Sequence, residues 1–280
     1  MKKVILSILC ITLIVACAFT FTACGKVKIG VQSGTTGQYF VDGDADWEFD
    51  GIDGYESKGY TNGGLAVQAL KNGTVKYVII DREPALRLAQ SIDGIQVIDI
   101  ALTVEEYAFG VDKNNAQLLA DINEILASSD GQAKLQSIFA AYATGEGISP
   151  VTSASFDAGR TSEQLVVATN AAFDPFEYKS GSKFAGIDME IAKYIADTLG
   201  MELVIKDMEF ESVVTSVGIN GVDIAMAGLT VNDERKQSVT FTTSYYDAAQ
   251  VVITLDGDTS FDNCTTAQDV LDVLANALEK

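Results

Sequence analysis

The sequence predicts an α/β fold, because strand-like and helix-like segments alternate from residue 27 onwards. The β-rich runs at 27–31 and 77–80 flank a segment, 63–72, that has the composition and spacing of a helix. Apolar residues make up 48% of the chain and charged residues 21%, which is the composition of a globular protein with a real core.

The first half of the chain is predicted to contain three strands and four helices. Their limits are strands 27–31, 77–80 and 95–98, and helices 63–72, 83–90, 115–127 and 132–141. Pro84 falls in the first turn of its helix, where a missing N–H costs no hydrogen bond. Residues 145–162 then lose all periodicity, are rich in Gly, Ser, Thr and Ala, and contain Pro150, so they predict a linker.

The second half repeats the alternation. The predicted elements are strands 165–169, 203–205, 222–225 and 251–253, and helices 187–199, 212–219 and 265–278. The helix at 187–199 has one apolar face, and Gly200 is its expected C-terminal stop. The last helix is amphipathic and closes the chain.

Charge and residue types exclude several functions. The formal net charge is −20, so the chain is expected to repel nucleic acid and anionic lipid, and the acidity is that of a solvated surface. Histidine is absent, which excludes Ser-His-Asp and Cys-His catalysis and histidine-based zinc sites. Three of the four cysteines, Cys10, Cys17 and Cys24, lie near the start and the fourth is Cys264, which suggests no disulfide framework. We expect no catalytic residue, no metal and no cofactor.

The first 24 residues have the pattern of an export signal. Lys2 and Lys3 precede an almost wholly apolar stretch, 4–23, and small residues surround Cys24. This end resembles a lipobox, in which cleavage leaves a lipid-modified cysteine at the new N-terminus. We expect a signal peptide at 1–23 and a lipid anchor at Cys24, with the chain at the cell surface or on the periplasmic side of the bacterial cytoplasmic membrane. A permanent transmembrane helix is the alternative, because about 20 apolar residues can span a bilayer.

Two blocks of sequence carry a family resemblance. One block contains LVVATN (165–170), FDPFE (173–177), GIDMEIA (186–192), MEF (208–210), VDIAMAGLT (222–230) and DER (233–235). The other contains GVQSGTTG (30–37), the helix at 66–73, VIID (78–81) and EEYAFGV (105–111). They resemble the first and second halves, respectively, of the polar amino-acid solute-binding proteins of ABC importers, family 3. Together they cover nearly all of the chain after the signal.

The two halves stand in reversed order relative to that family, so the order resembles a circular permutation. A fragment of a tandem duplication is the alternative, although the matched elements add up to one complete copy. The resemblance implies a two-lobed α/β fold of the periplasmic-binding-protein type II class with two crossing hinge strands. The implied limits are a discontinuous lobe at 27–104 plus 255–280, hinge strands at 105–111 and 249–254, and a second lobe at 112–248 that contains the linker 145–162.

The resemblance also implies a site for the carboxylate of a free amino acid. Arg235 matches the carboxylate-binding arginine of the family, and a planar guanidinium binds a carboxylate through two N–H groups. Without its surroundings, Arg235 would be interpreted as a surface charge at a helix start. Thr35 and Thr36, in a turn between a strand and a helix, are implied to help hold the same carboxylate.

Acceptors for the amino-acid ammonium are implied on both lobes. Asp81 matches the aspartate at the end of the second-lobe strand, and it is also a candidate N-cap for the following helix. Gly228 is expected to offer its carbonyl and Thr230 its hydroxyl. Burying a zwitterion requires such opposite charges and hydrogen bonds at both ends.

Four further residues are implied to surround the ligand side chain. Phe173 and Phe210 match aromatic walls of the family, although by sequence alone such residues are more often core. Asn170 stands where several relatives have aspartate, so it offers no ionic partner and favours an uncharged polar or small amino acid. Gln32 is expected to face the same pocket.

The resulting hypothesis is an extracytoplasmic lipoprotein that captures a free amino acid for an ABC permease and acts as a monomer without enzymatic activity. A ligand-sensing adaptor for a membrane receptor is one alternative. A small-acid dehydratase on the same scaffold is another, and it would require a strongly perturbed carboxylate in the cleft.

Overall fold

The computed structural model describes residues 25–156 and 163–278. The predicted signal peptide, the lipid-attachment residue Cys24 and linker residues 157–162 lie outside these ranges. Within them, no helix is both long enough and apolar enough to cross a membrane.

The described residues form strands and helices that alternate along the chain, as predicted. The strands are β1 (Val27–Gln32), β2 (Tyr55–Tyr60), β3 (Tyr77–Asp81), β4 (Ile95–Ile98), β5 (Glu105–Tyr107), β6 (Gly110–Asp112), β7 (Gln164–Thr169), β8 (Ala172–Phe173), β9 (Glu177–Ser180), β10 (Lys183–Ala185), β11 (Glu202–Asp207), β12 (Ile224–Ala225), β13 (Val239–Phe241), β14 (Tyr246–Ala248) and β15 (Gln250–Leu255). The helices are α1 (Thr36–Asp42), α2 (Gly63–Lys71), α3 (Arg82–Ser91), α4 (Ala116–Ala127), α5 (Ser129–Thr144), α6 (Ile187–Leu199), α7 (Phe210–Val213) and α8 (Ala267–Asn276).

The first five-stranded sheet has the order β2-β1-β3-β15-β4. Strands β1, β2 and β3 are parallel, whereas β15 runs antiparallel to both β3 and β4. Successive side chains of a strand point to opposite faces, so Ile79 packs with α1 and α8 while Val78 and Ile80 pack with α2 and α3. Both faces are therefore covered, and this sheet is the core of the first lobe.

The second five-stranded sheet has the order β11-β7-β12-β6-β13. Its β11, β7 and β12 are parallel, and β6 and β13 continue it in antiparallel pairing. Leu165 and Val167 pack against α4 to α6 on one face, and Val166 packs with the segment around α7 on the other. This sheet is the core of the second lobe, so the chain has the two-lobed α/β architecture that the sequence predicts.

Two chain segments cross between the lobes and pair with each other. The chain leaves the first sheet after β4 and enters the second at β6 by way of β5, and it returns from β13 to β15 by way of β14. Strands β5 and β14 form an antiparallel two-stranded ladder, with Tyr107 opposite Tyr246. The first crossing overlaps the predicted hinge at 105–111. The second lies at β14, earlier than the predicted 249–254, because that range is hydrogen-bonded into the first sheet as β15.

Several elements are absent from the sequence predictions. Strands β8, β9 and β10 form a small antiparallel sheet, and β2 forms the edge of the first sheet. These strands are short or rich in polar and charged residues, so they lack an apolar run. The predicted helix at 212–219 is the single turn α7 followed by a 3-10 turn, Val214–Ser216. Val151, in the predicted linker, forms a bridge with Phe184.

Candidate ligand-binding site

The first lobe contributes the carboxyl ends of two neighbouring parallel strands. Strand β1 ends at Gln32 and β3 ends at Asp81, and the two strands pair directly. Side chains at such adjacent ends face a common crevice. The turn after β1 is held by Thr35, whose hydroxyl donates to the carbonyl of Gln32 at 2.8 Å, and Thr36 begins α1. All four side chains are buried.

The second lobe contributes the matching ends of its own parallel strands. Asn170 directly follows β7, and the segment after β12 carries Gly228 and Thr230. Arg235 begins a 3-10 turn and is 8% exposed, so the interpretation of this residue as a surface charge is wrong. Gly228 has φ of 53°, and a Cβ there would lie 2.9 Å from Phe173, so glycine is required for this close approach.

The residues predicted to form the site converge on one cavity between the lobes. The space in it that is open to the centre of a water-sized sphere is about 10 Å³, and it is lined by Gln32, Thr35, Thr36, Asp81, Phe173, Phe210, Gly228, Thr230 and Arg235. The remaining predicted residue, Asn170, is 7% exposed and contacts Gln32 at the cavity wall. Aromatic rings from Phe173 and Phe210 are thus cavity walls as well as packed side chains.

Direct hydrogen bonds join the two lobes across this cavity. Gln32 Nε2 donates to Asn170 Oδ1 at 3.0 Å. The hydroxyl of Thr36 donates to that of Thr230 at 3.2 Å, and Arg235 Nη2 donates to the carbonyl of residue 34 at 3.2 Å. Since each bond has one partner on each lobe, separating the lobes breaks all of them. The lobes are therefore in contact through the candidate site itself.

Arg235 provides a receptor for an anion. Its Nη1 donates to the carbonyl of Thr230 at 2.8 Å, which fixes the guanidinium orientation. The ring of Phe210 lies 5.4 Å from the guanidinium carbon and the ring of Trp47 lies 5.2 Å from it. Burial lowers the pKa of Arg235, but a guanidinium stays charged in proteins. A guanidinium with five N–H donors, only two of them engaged with carbonyls here, is suited to a carboxylate.

Asp81 provides the opposite charge. It is 5% exposed, and its side chain makes no cap bond to the following helix but accepts a hydrogen bond from the hydroxyl of Tyr107. The N-cap interpretation of Asp81 is therefore wrong for the side chain. Burial, and secondarily the nearby carboxylate of Glu105, raises the pKa of Asp81 to about 7. A cation in the cavity would offset the cost of burying a carboxylate and would stabilise the ionised form of Asp81.

Glu105 lies beside the cavity and was missed by the sequence analysis. Its Oε2 accepts from the hydroxyl of Thr230 at 2.6 Å, and its Oε1 accepts from Gln250 Nε2 at 3.1 Å. Glu105 belongs to β5, one of the crossing strands, so it connects the hinge to the site. Its position within the hinge segment was predicted, but nothing in its local pattern distinguishes it from the exposed Glu106 next to it.

Asp188 holds the backbone of Gly228 through a hydrogen bond, and the sequence analysis did not predict this role. Its Oδ2 accepts from the N–H of Gly228 at 3.0 Å, and its Oδ1 accepts from the hydroxyl of Tyr245 at 2.5 Å. Asp188 is fully buried, and burial raises its pKa to about 7. The backbone turn that places Gly228 at the cavity is thereby anchored to the start of α6.

Within residues 25–156 and 163–278, no cluster of three or more Cys, Asp or Glu side chains has an arrangement able to hold a metal ion. The chemical character of the cavity is instead dipolar, with a guanidinium and a carboxyl on its wall and aromatic surface between them.

Comparison with known proteins finds a family match over part of the chain. Residues 165–280 match the model of the bacterial extracellular solute-binding proteins, family 3, which is fewer than half of the 280 residues. The two lobes, the crossing ladder and the interlobe cavity correspond to the predicted periplasmic-binding-protein type II fold.

Similar proteins include both binding proteins and an enzyme. The arginine-binding extracellular protein ArtP of Bacillus subtilis is 37% identical over 91 residues, which are 32% of this chain and 36% of ArtP. The cyclohexadienyl dehydratase of Pseudomonas aeruginosa is 32% identical over 92 residues, which are 32% of this chain and 34% of the enzyme. The chain thus matches about a third of the length of these relatives. The probable amino-acid ABC transporter extracellular-binding protein ytmK from Bacillus subtilis aligns over 91% of this chain and 92% of its own, with a TM-score of 0.43 and 8% identity.

Proposed function

We propose that this protein belongs to family 3, binds a free amino acid outside the cytoplasm and delivers it to an ABC permease. The observation that carries the proposal is the pairing of Arg235 on one lobe with Asp81 on the other, both buried and both lining the same cavity. Two opposite buried charges separated by a cavity match the two charges of an amino-acid zwitterion. The binding-protein names of relatives such as ArtP support the same class of ligand.

The proposed binding mode satisfies both charged ends of the ligand. The α-carboxylate accepts N–H groups of Arg235 together with donors of the Thr35–Thr36 turn. The ammonium donates its three hydrogens to Asp81, to the Gly228 carbonyl and to the Thr230 hydroxyl. That hydroxyl already donates to Glu105 and accepts from Thr36, so its one remaining lone pair is the acceptor for the ammonium. Each ligand charge thereby meets an opposite charge, which offsets the cost of burial.

Ligand entry requires the lobes to separate. The space in the cavity that is open to the centre of a water-sized sphere is about 10 Å³, far below the roughly 300–1,000 Å³ that is typical of small-molecule sites, and the interlobe hydrogen bonds close its walls. The β5–β14 ladder is the only pair of strands, among the described residues, that lies between the two sheets. We infer that the lobes open about this ladder and close on the ligand.

The ligand side chain is proposed to be uncharged and polar. Asn170 is neutral, and among the described residues that line the cavity Asp81 is the one carboxylate. In the proposed mode the α-ammonium engages it, which leaves no ionic partner for a second positive charge. A cationic amino acid is the alternative, which the name of the arginine-binding relative ArtP supports.

We propose that Cys24 carries a lipid anchor, which holds a monomeric binding protein at the outer side of the membrane. We also propose that the chain order is a circular permutation. In the range 165–280 that matches the family, β7, β11, β12 and β13 of the second sheet precede β15 and α8, while β1 to β4 of the first sheet precede this range in the chain.

Calorimetry tests the proposed function directly. The full chain, purified in detergent, is titrated with each of the twenty amino acids, and at least one is expected to bind with a dissociation constant near micromolar, about −8 kcal/mol. Arg235→Ala and Asp81→Asn are expected to abolish binding. Arg82→Ala is the matched control, because Arg82 is exposed and pairs with Asp99 away from the cavity. Failure of every amino acid to bind, or equal binding by Arg235→Ala, would refute the proposal.

A dehydratase is the second candidate, because one relative has that activity in its name and Asp81 has a raised pKa. A carboxyl that titrates near neutrality is suited to general acid–base catalysis. The binding function is favoured because the hydrogen bond from Tyr107 and the approach of Glu105 already engage Asp81. Incubation with a cyclohexadienyl acid followed by detection of its aromatic product distinguishes the two: turnover that depends on Asp81 would replace the binding proposal.

A further inference from the structure

The amide of Gln32 has a defined orientation at the cavity wall. Asn170 Nδ2 donates to the carbonyl of Met208 at 2.7 Å. A carbonyl only accepts, so the atom that Asn170 turns towards Gln32 is its oxygen. Gln32 Nε2 must then be the donor of the 3.0 Å bond between the two amides. Gln32 Oε1 is consequently the amide atom that faces away from Asn170.

Gln32 Oε1 is a buried acceptor without a donor. Gln32 is 2% exposed and lines the cavity, and no described residue donates to its Oε1. A buried acceptor that loses water and gains no partner lowers the equilibrium constant for the closed state by about fivefold to 150-fold. A hydrogen-bond donor on the ligand would remove this penalty. A ligand without a donor would bury Gln32 Oε1 without a hydrogen-bond partner.

The donor cannot come from the ligand's backbone end in the proposed binding mode. The three ammonium hydrogens are directed to Asp81, the Gly228 carbonyl and the Thr230 hydroxyl, and a carboxylate has no hydrogen to give. The donor must therefore be on the ligand side chain.

We propose that Gln32 selects amino acids whose side chain carries a hydrogen-bond donor, as a carboxamide, a guanidinium, an imidazole or a hydroxyl does. This inference rests on the proposed function, and it names the chemical class of the ligand. A methionine side chain leaves Oε1 unpaired, and a glutamate side chain places a negative oxygen against it. Selection therefore operates through the penalty of an unpaired polar atom more than through shape.

The test is a calorimetric panel of four amino acids of similar length: glutamine, arginine, glutamate and methionine. Glutamine or arginine is expected to bind at least about tenfold more tightly than both glutamate and methionine. Comparison of glutamine with arginine then separates a neutral from a cationic donor. If methionine or glutamate binds as tightly as the better donor, the inference is overturned while amino-acid binding stands. If nothing in the full set of twenty binds, both proposals are overturned.

A variant isolates the role of the oxygen. Gln32→Met keeps a similar side-chain volume but has no amide, and the preference for glutamine or arginine over methionine is expected to fall to less than about threefold. Gln68→Met is the matched control, since Gln68 is exposed on α2, and it should leave the preference unchanged. A Gln32→Met protein that binds methionine yet keeps the full preference would overturn the inference. If this variant does not fold, the panel on the unaltered chain decides the matter.

Discussion

Trp47 reaches from the first lobe to the arginine of the second. It lies in the loop between α1 and β2, stacks on Tyr39 with ring centroids 4.9 Å apart, and is 9% exposed. Its ring lies 5.2 Å from the guanidinium carbon of Arg235, and its Nε1 donates to Glu234 Oε2 at 3.3 Å. Both contacts join the lobes, so they exist only when the cleft is closed. We predict that Trp47→Ala shortens the lifetime of the amino-acid complex.

The expected loss of binding free energy in Trp47→Ala follows from the two contacts that the substitution removes. A partly desolvated cation–π contact contributes about 1–2 kcal/mol, and a hydrogen bond to a charged group contributes about 1.5 kcal/mol at most for this long geometry. Their sum of about 2–3 kcal/mol corresponds to roughly 30-fold to 150-fold weaker binding. Trp47→Phe keeps a ring over the guanidinium and loses only the indole N–H, so about fivefold to tenfold is expected. Because the contacts form upon closure, the loss should be almost entirely in the dissociation rate.

The assay is the release of a radiolabelled amino acid during a chase with unlabelled ligand. Asp50→Ala is the control, because Asp50 is an exposed residue of the same loop, whereas the neighbouring Phe49 stacks on Trp47. Trp47 is the one tryptophan of the chain, so its fluorescence in the unaltered protein reports closure independently. A release rate for Trp47→Ala within twofold of the unaltered rate, or a change confined to association, would refute this reasoning.

Three further predictions follow from buried or interlobe groups. Asp81, whose pKa is about 7, must be ionised to hold an ammonium, so amino-acid affinity should fall by up to about tenfold per pH unit below 7 in calorimetry and level off above it. The pKa of Asp188 in the folded protein is about 7, above the ordinary 3.8. Its contribution to the free energy of unfolding is therefore full below about pH 4 and is lost as pH rises through 7. Asp188→Asn should reduce the pH dependence of the free energy of unfolding, measured by urea titration, between pH 5 and pH 8. Arg87 forms an ion pair with Asp174 of the other lobe at 3.6 Å. Because both side chains are partly exposed, Arg87→Ala should increase the rate of ligand release by less than about fivefold. Lys193→Ala is the control and should show no change, because Lys193 is exposed and pairs within its own helix.

Most of the predicted site residues line one cavity because they sit at the ends of predicted strands. Gln32 and Asp81 each follow an apolar β run, and parallel strands bring such ends together. The assignment of Arg235 depended on the family motif, since local sequence alone favoured a surface charge. Its burial results from rings supplied by distant parts of the chain, such as Trp47 and Phe210.

The supporting residues were not predicted, for a different physical reason. Glu105 and Tyr107 act on the cavity from the crossing strand β5, and Asp188 acts from the first turn of α6. Their effect depends on how the two lobes approach each other, and a one-dimensional pattern contains no information about that approach. Glu105 illustrates the limit, because it is buried whereas the adjacent Glu106 is exposed.

A crystal structure of the full chain with the amino acid that binds best in calorimetry tests the central claim most directly. The α-carboxylate is expected within hydrogen-bond distance of the Arg235 guanidinium and the ammonium within hydrogen-bond distance of the Asp81 carboxylate, about 2.7–2.9 Å. An amino acid bound outside the interlobe cavity, or one whose ammonium does not contact Asp81, would contradict the account.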